Sequence, residues 1–161
     1  MLPSLEPVPA ISFFWLGQAD RFPEQRKQNR RSKSPEPAKR PPRILVIDDE
    51  ASIADSLIEI LTEHGCEAIA AYEGQAAIEF ARQWCPDLVL SDVFMPRLNG
   101  IETALAIRKE CPEARVVLFS GQAGTADILK QARDAGNDFE LLRKPLHPEE
   151  LLKRLFGPQP S

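Results

Sequence analysis

Five side chains that could take part in chemistry stand at the ends of short apolar, β-branched runs of the sequence. They are three carboxylates, one hydroxyl and one ammonium group, carried by Asp48, Asp49, Asp92, Ser120 and Lys144. Such runs are typical of strands buried on both faces of a parallel sheet. Because the carboxyl ends of parallel strands meet at one edge of a sheet, we expect the five side chains to converge there.

A cluster of carboxylates favours a bound cation, since neighbouring negative charges otherwise raise each other's pKa. An all-oxygen site with few protein ligands suits Mg²⁺, with Mn²⁺ as a substitute, because Mg²⁺ keeps several waters and accepts phosphate oxygens. Lys144 would add a positive charge and Ser120 a hydrogen bond. Phosphoryl transfer depends mainly on positioning and charge neutralisation, so these residue types predict a phosphoryl-transfer site.

Each residue also has a purely structural explanation. Asp49 suits a helix cap, Asp92 and Ser120 suit turns, and Lys144 suits a solvated strand end. Their occurrence at successive predicted strand ends favours the functional interpretation.

The elements that must position these side chains alternate regularly from Arg43 onward. Strands are predicted at 43–47, 67–71, 87–91, 115–119 and 139–142. Helices are predicted between and after them, with these inward positions: Ile53, Leu57, Ile60, Leu61; Ala77, Phe80, Ala81, Trp84; Ile101, Ala104, Leu105; Ile128, Ala132, Ala135; Leu151, Leu152, Leu155. This alternation predicts an α/β fold with right-handed crossovers and a parallel sheet covered on both faces.

Composition separates a basic N-terminal segment from an acidic remainder. Residues 1–42 contain 8 Lys/Arg, 4 Asp/Glu and 8 of the 15 prolines, whereas residues 43–161 contain 12 Lys/Arg and 20 Asp/Glu. The first segment is predicted to be a disordered extension, either solvated or in weak contact with nucleic acid or anionic lipid. We assign a folded domain to residues 43–157 and a short tail to residues 158–161.

Several protein classes are excluded by the remaining features. No stretch approaches the ~18 apolar residues of a membrane span, and the apolar run at 10–17 lacks the basic start of a secretory signal. The 3 cysteines argue against a disulfide framework and a zinc site, and a cytoplasmic location is expected. With only His64 and His147 present, histidine-based metal or triad chemistry is nearly excluded.

From Arg43 to about Phe156, the chain resembles the receiver domain of bacterial two-component response regulators. The matching segments are ILVIDDE at 44–50, DLVLSDVFMP at 87–96 with Gly100 eight residues after Asp92, LFSG at 118–121, and KP at 144–145. The resemblance implies a flavodoxin-like, three-layer fold of five βα units, with the parallel sheet in the order 2-1-3-4-5.

The resemblance also implies a phosphoacceptor role for Asp92, which would take a phosphoryl group from a histidine kinase or phosphotransfer protein as an acyl phosphate. Asp49 and Asp92 would bind Mg²⁺ through their side chains, Asp48 mainly through water, and Phe94 through its backbone carbonyl. The phosphoryl oxygens would be held by Ser120 and Lys144. The implied modulators are Gly121, Gln122, Pro145 and Leu141.

Two departures from the family pattern concern the last strand. Family members usually carry an aromatic residue three positions before the lysine, where this chain has Leu141, with Phe139 two residues earlier. The interval from Gly136 to Lys144 is also one residue longer than usual. An aromatic switch is therefore not implied.

Three functions compete. The first is a stand-alone phosphoacceptor receiver, a signalling module rather than an enzyme, which acts through altered protein–protein contacts. The second is a receiver-like scaffold that signals without phosphate, although such modules usually lose one of the site residues. The third is a haloacid-dehalogenase-like phosphatase, which needs Asp-x-Asp where this chain has Asp48-Asp49-Glu50. A flavin-binding flavodoxin is a weaker alternative than these three functions, because no phosphate-binding loop follows the first strand.

The partners expected for the first function are a histidine kinase or phosphotransfer protein and an unknown downstream protein. The sequence contains no recognisable DNA-binding module. The predicted surface of helix 4, strand 5 and helix 5 is of mixed charge, so we expect a monomer or a weak dimer.

Overall fold

The computed structural model describes residues 40–158, so the predicted extension lies outside the described residues apart from its last three positions. The chain already contacts the domain at Arg40, whose guanidinium nitrogens are 2.8 Å from both carboxylate oxygens of Asp87. The carbonyl of Pro42 accepts a hydrogen bond of 2.9 Å from the backbone N–H of Glu67. No helix among residues 40–158 is long and apolar enough to cross a bilayer.

Five strands alternate with five helices along the described chain. The strands are β1 (Arg43–Ile47), β2 (Glu67–Ala71), β3 (Leu88–Asp92), β4 (Arg115–Ser120) and β5 (Glu140–Arg143). The helices are α1 (Ala51–Glu63), α2 (Gly74–Trp84), α3 (Gly100–Glu110), α4 (Thr125–Asp134) and α5 (Pro148–Phe156). All strand pairs are parallel, in the order β2-β1-β3-β4-β5, which confirms the predicted flavodoxin-like α/β fold.

The strand register aligns the ends that carry the candidate site. Asp92 is itself the last residue of β3 and pairs with Phe119, while Ser120 ends β4 and pairs with Arg143. β3 and β4 therefore extend one residue beyond the predicted ends, because neighbouring strands continue to pair there. β5 is likewise shifted by one residue from its predicted position, to 140–143.

The sheet separates two apolar clusters of alternating strand residues. Leu45 and Ile47 face the cluster that includes α2, α3 and α4, whereas Ile44 and Val46 face the cluster that includes α1 and α5. Both faces of the central strands β1, β3 and β4 are buried, as a parallel sheet between two helix layers requires, whereas the edge strands β2 and β5 are partly exposed.

Two predicted inward positions are wrong. Phe80 of α2 is 41% exposed, and Ile78 is buried in its place beside Ala77 and Ala81. Ala135 is exposed because α4 ends at Asp134 and the chain turns away there. The helical period alone does not decide between adjacent positions at the edge of an apolar face, and packing against the sheet does.

The cysteines correct a further expectation. Cys85 and Cys111 are joined by a disulfide, with their Cα atoms 5.7 Å apart. They cap the C-terminal ends of α2 and α3, which are packed side by side although the two residues are separated by 26 positions. The spacing of cysteines in the sequence does not show which helix ends meet. Cys66 is buried and free, and its burial raises the pKa of its thiol.

Candidate functional site

An acidic cluster, defined as Asp48, Asp49 and Asp92, lies at the carboxyl ends of β1 and β3, which are neighbours in the sheet. One carboxylate oxygen from each residue lies within 4.8 Å of the other two. Asp48 is fully buried and Asp92 is 7% exposed, whereas Asp49 faces solvent. Asp49 is not the cap of α1, because the cap position is occupied by Glu50. The donor set consists of oxygens only, which suits a hard divalent cation.

Lys144 provides the positive charge next to this cluster. Its Nζ lies 3.0 Å from Asp48 Oδ2 and 3.6 Å from Asp92 Oδ1, and 4.7 Å from the centre of the Phe119 ring. The position is set by β5, since the backbone N–H of Lys144 donates to the carbonyl of Ser120 at 3.0 Å. The other oxygen of Asp48 accepts a 2.9 Å bond from the Glu50 N–H. One ammonium group does not balance three carboxylates, so the cluster retains negative charge.

The surroundings of Asp92 raise the pKa of its carboxyl group above the usual range. Burial raises the pKa of Asp92 because the ionised form loses hydration, and the nearby charge of Asp48 raises it further. Lys144 and the backbone N–H groups of Val93 and Phe94 act in the opposite direction. The carboxylate of Asp92 is thus poorly hydrated and close to the ammonium group of Lys144, and both conditions suit a nucleophile.

Ser120 is held by a second hydroxyl that the sequence interpretation missed. Its Oγ lies 2.8 Å from Thr125 Oγ1, and both residues are buried. Thr125 donates to the carbonyl of Gln122 at 2.8 Å, so the bond between the two hydroxyls is donated by Ser120. The sequence feature that indicates this partner is a threonine five residues after Ser120, at the start of a predicted helix.

Gly100 explains the eight-residue interval after Asp92. Its backbone N–H donates to the carbonyl of Val93 at 2.9 Å, where the loop after β3 returns to begin α3. A Cβ at Gly100 would overlap the carbonyl oxygen of Asp92 and lie 2.9 Å from its carbonyl carbon. The helix start is stabilised by a capping box between Asn99 and Glu102. Close packing therefore requires glycine here and holds the backbone of Asp92 in place.

A family model described as the response regulator receiver domain matches residues 44–156. This range covers more than half of the chain and includes every residue of the acidic cluster as well as Lys144. The chain belongs to the response regulator receiver family.

Similar proteins agree with this assignment. The transcriptional regulatory protein PdtaR of Mycobacterium tuberculosis is 39% identical to this receiver over 115 residues, which are 70% of this chain and 54% of that protein. The DNA-binding response regulator MtrA of the same organism is 32% identical over 113 residues, which are 70% of this chain and 48% of that protein. This receiver chain therefore spans about half the length of the curated relatives it matches.

Solved structures agree as well. The chemotaxis protein CheY4 of Vibrio cholerae has a TM-score of 0.64 at 29% identity, over 71% of this chain and 96% of that one. A receiver domain protein from Clostridium thermocellum has a TM-score of 0.62 at 32% identity, over 68% of this chain and 87% of that one.

The remaining predicted site residues of the receiver lie around the acidic cluster, and the backbone N–H of Phe94 donates to the Asp92 carboxylate. The side chain of Phe94 is half-buried against the apolar cluster that includes α2, α3 and α4. Gly121 and Gln122 are exposed, and the Gln122 N–H donates weakly to Ser120 Oγ at 3.3 Å. Pro145 follows a cis peptide bond after Lys144. The last of these residues, Leu141, is half-buried beside a cavity of about 570 Å³ between α4 and β5.

Removing the charge of Asp92 should stabilise the metal-free receiver at neutral pH. Because the folded-state pKa of Asp92 is raised, the stability linked to this group is fully present below the unfolded pKa of about 3.9. This stability is lost as the pH rises through the folded-state pKa of Asp92. With a chelator present, Asp92→Asn should therefore melt at a higher temperature than the wild type at pH 7, and the difference should shrink below about pH 4.

Asp87→Asn is the matched control for this measurement. The Arg40 guanidinium holds the pKa of Asp87 below its usual range, so this group contributes stability that is lost as pH falls. Its replacement should lower the melting temperature slightly at pH 7. Equal shifts of melting temperature, with the same sign, in Asp92→Asn and Asp87→Asn would contradict the explanation that burial of the charged Asp92 carboxylate costs stability.

Proposed function

We propose that this receiver accepts a phosphoryl group on Asp92 from a histidine kinase or phosphotransfer protein in the cytoplasm and signals through altered contacts with other proteins. The observation that supports this most is the position of the Asp92 carboxylate, 3.6 Å from Lys144 Nζ and within 4.8 Å of two other carboxylates. The membership of the receiver family adds to it.

The reaction needs little covalent chemistry from the protein. An oxygen of Asp92 forms a bond to the phosphorus while the bond from phosphorus to the donor breaks, and the donor leaves with that electron pair. Lys144 offsets negative charge on the phosphoryl oxygens. Ser120 reaches a phosphoryl oxygen only if its hydroxyl leaves Thr125, so phosphorylation would be transmitted to the start of α4.

The acidic cluster fits Mg²⁺, or Mn²⁺ as a substitute, because its donors are oxygens only and carry excess negative charge. We propose that Asp49 and Asp92 hold the ion through carboxylates, Asp48 mainly through water, and Phe94 through its carbonyl. When bound, the ion would supply positive charge for the phosphoryl oxygens.

The test is incubation of the full chain with a small phosphodonor such as acetyl phosphate and Mg²⁺, followed by intact-mass measurement. We expect the mass of a single phosphoryl group to be added, and we expect a chelator to abolish this gain. A chain that never gains the group would favour the phosphate-independent scaffold. Continuous release of phosphate from many phosphate esters would instead favour the phosphatase.

We further propose that the folded receiver, assigned to residues 43–157, is a monomer or weak dimer. Among the described residues, the surface of α4, β5 and α5 carries exposed charges of both signs, including Lys130, Asp134, Glu149 and Lys153. Such a surface suits weak, transient contacts rather than an obligate interface. Sedimentation should show a monomer in the unphosphorylated state at micromolar concentration, and a tight dimer would contradict this.

Hydrolysis of the phosphorylated state should be slow because of Phe94. A water must approach in line with the bond between Asp92 and phosphorus, and Phe94 has no group that positions one. Gln122 can orient a water because its amide both donates and accepts. We expect Phe94→Asn to speed the decay of the phosphorylated state about tenfold relative to the wild type. We expect Gln122→Ala to decay even more slowly than the wild type.

Phosphate-affinity gels after removal of the donor would measure this decay. Phe80→Asn is the control, because Phe80 is 41% exposed on α2, outside the candidate site. An unchanged decay in Phe94→Asn would show that this ring does not shield the phosphoryl group.

A further inference from the structure

The disulfide between Cys85 and Cys111 connects two helix ends that also pack against each other without it. Cys85 caps the C-terminal end of α2 and Cys111 that of α3. Glu110, which directly precedes Cys111, forms an ion pair of 3.0 Å with Arg82 of α2. Buried residues of both helices belong to one apolar cluster. The approach of the two helix ends therefore does not depend on the covalent bond alone, so breaking the bond leaves the fold intact.

The reduced form of this pair has a hydrogen-bond acceptor in place. Cys111 is 2% exposed, and its Sγ lies 3.3 Å from the carbonyl oxygen of Ala81. A thiol at this position can donate to that oxygen, so reduction leaves no buried S–H group without a partner. The same oxygen accepts a 2.8 Å bond from the backbone N–H of Cys85, and a carbonyl has two lone pairs for the two donors. The fold thus accommodates both oxidation states.

The two cysteines differ in their access to solvent. Cys85 is exposed, whereas Cys111 is buried. A thiolate from solution therefore reaches the sulfur of Cys85, and Cys111 becomes the leaving group.

The backbone of Cys85 gives a further reason to assign a role to the bond. Its φ of +43° is left-handed, a conformation that favours glycine at the end of a helix. A cysteine at this position lowers the stability of the reduced chain relative to glycine, and the disulfide offsets this loss. The residue type at position 85 is therefore favourable only when the bond forms.

We propose that Cys85 and Cys111 form a reversible thiol–disulfide site that exchanges with low-molecular-weight thiols such as glutathione. In reduction, a glutathione thiolate attacks the sulfur of Cys85, and Cys111 leaves with the electron pair of the broken bond and takes up a proton. A second glutathione thiolate attacks the glutathione sulfur of the mixed disulfide, so Cys85 is released and also takes up a proton. Two electrons thus pass to the protein while one oxidised glutathione forms, and oxidation is the reverse.

A small thiol suits this site better than a peroxide does. Both cysteines lie at C-terminal helix ends, where the partial negative charge of the helix disfavours a thiolate. Reaction with a peroxide starts from a protein thiolate, whereas the bonded form is opened by a thiolate that the small molecule supplies. Disulfides in cytoplasmic proteins are rare, and most of those that exist are transient.

The disulfide lies apart from the acidic cluster. α3 begins at Gly100 next to Asp92, and Cys111 follows at the far end of this helix, roughly 16 Å along its axis. This inference goes beyond the proposed function and takes from it only the cytoplasmic location. Asp92→Asn should exchange its disulfide as the wild type does, so a failure of phosphotransfer and a failure of exchange are distinguishable.

The experiment equilibrates the native full chain in buffers with different ratios of reduced to oxidised glutathione. Free thiols are then blocked with N-ethylmaleimide in denaturant and counted by intact mass. We expect one adduct, at Cys66, in oxidising buffers and adducts at all 3 cysteines in strongly reducing buffers. The melting temperature should fall by roughly 10 °C on reduction, because the bond joins residues 26 positions apart.

Three results of this titration would overturn the proposal. They are free thiols at all cysteines in every buffer, a disulfide that persists in the native chain under strongly reducing conditions, and a melting temperature that reduction leaves unchanged. The titration uses the wild type, so it does not depend on the folding of any variant.

Two serine variants test the difference in access. The hydroxyl in Cys111→Ser can donate to the Ala81 carbonyl, and Cys85→Ser changes an exposed side chain, so both variants should fold. Oxidised glutathione should modify native Cys111→Ser, at Cys85, at least about tenfold faster than native Cys85→Ser, in which the remaining thiols are buried. Cys66 provides the baseline in both variants, because its thiol is buried and has a raised pKa. Equal rates in the two variants would contradict the assignment of Cys85 as the exchanging residue.

Discussion

Asp92→Asn should gain no detectable phosphoryl group under conditions in which the wild-type chain gains one. The amide oxygen of asparagine is uncharged and a poor nucleophile, and the substitution also removes one of the three clustered carboxylates. Because the pKa of Asp92 is raised by burial, the variant should remain folded, so the loss reflects chemistry rather than unfolding. Intact-mass measurement after incubation with acetyl phosphate and Mg²⁺ decides the outcome.

Asp87→Asn provides the matched control for this loss. Asp87 immediately precedes β3. Asp87→Asn therefore makes the same chemical change as Asp92→Asn, but at the opposite edge of the sheet. Its carboxylate is bound by Arg40 and by the backbone N–H of Arg43 at 2.8 Å, far from the acidic cluster along β3. This variant should gain the phosphoryl group as the wild type does. A gain in Asp92→Asn as well would show that another residue is the acceptor.

Gly100→Ala should destabilise the fold by about 3 kcal/mol, since overpacking against a rigid backbone costs about 1–3 kcal/mol or more. The new Cβ would overlap the carbonyl oxygen of Asp92, and backbone has no rotamer with which to yield. Any shift would also stretch the bond of 2.9 Å from the Gly100 N–H to Val93. Urea unfolding measures the loss, and phosphoryl uptake should fall with it because the backbone of Asp92 must move.

Gly136→Ala separates this packing effect from the general cost of replacing glycine. Nothing lies within 4 Å of a Cβ at Gly136, but its φ of +85° is left-handed. The cost should therefore be about 1–2 kcal/mol, from the backbone conformation alone. A loss in Gly100→Ala no larger than that in Gly136→Ala would contradict the packing explanation.

The fold class and the main members of the site were accessible without coordinates. Strand and helix signals alternate so regularly that a parallel α/β sheet was the consistent interpretation, and this topology alone places Asp48, Asp92 and Lys144 at one edge. The order of the strands came from the resemblance to receivers, since alternation alone permits more than one order. Ser120 was found in the same way, because its position follows directly from a strand end.

Features that depend on contacts between distant segments were not accessible. Pairing with Phe119 extends β3 to Asp92, and packing on the sheet buries Ile78 rather than Phe80. Apolar periodicity defines a helix face only to within a position, and sequence spacing says nothing about which helix ends meet, as the Cys85–Cys111 bond shows. The Ser120–Thr125 bond and the overlap that excludes a side chain at Gly100 likewise arise from the exact approach of two segments. Local residue types determine what a segment can form, whereas close packing in three dimensions determines which of those contacts exist.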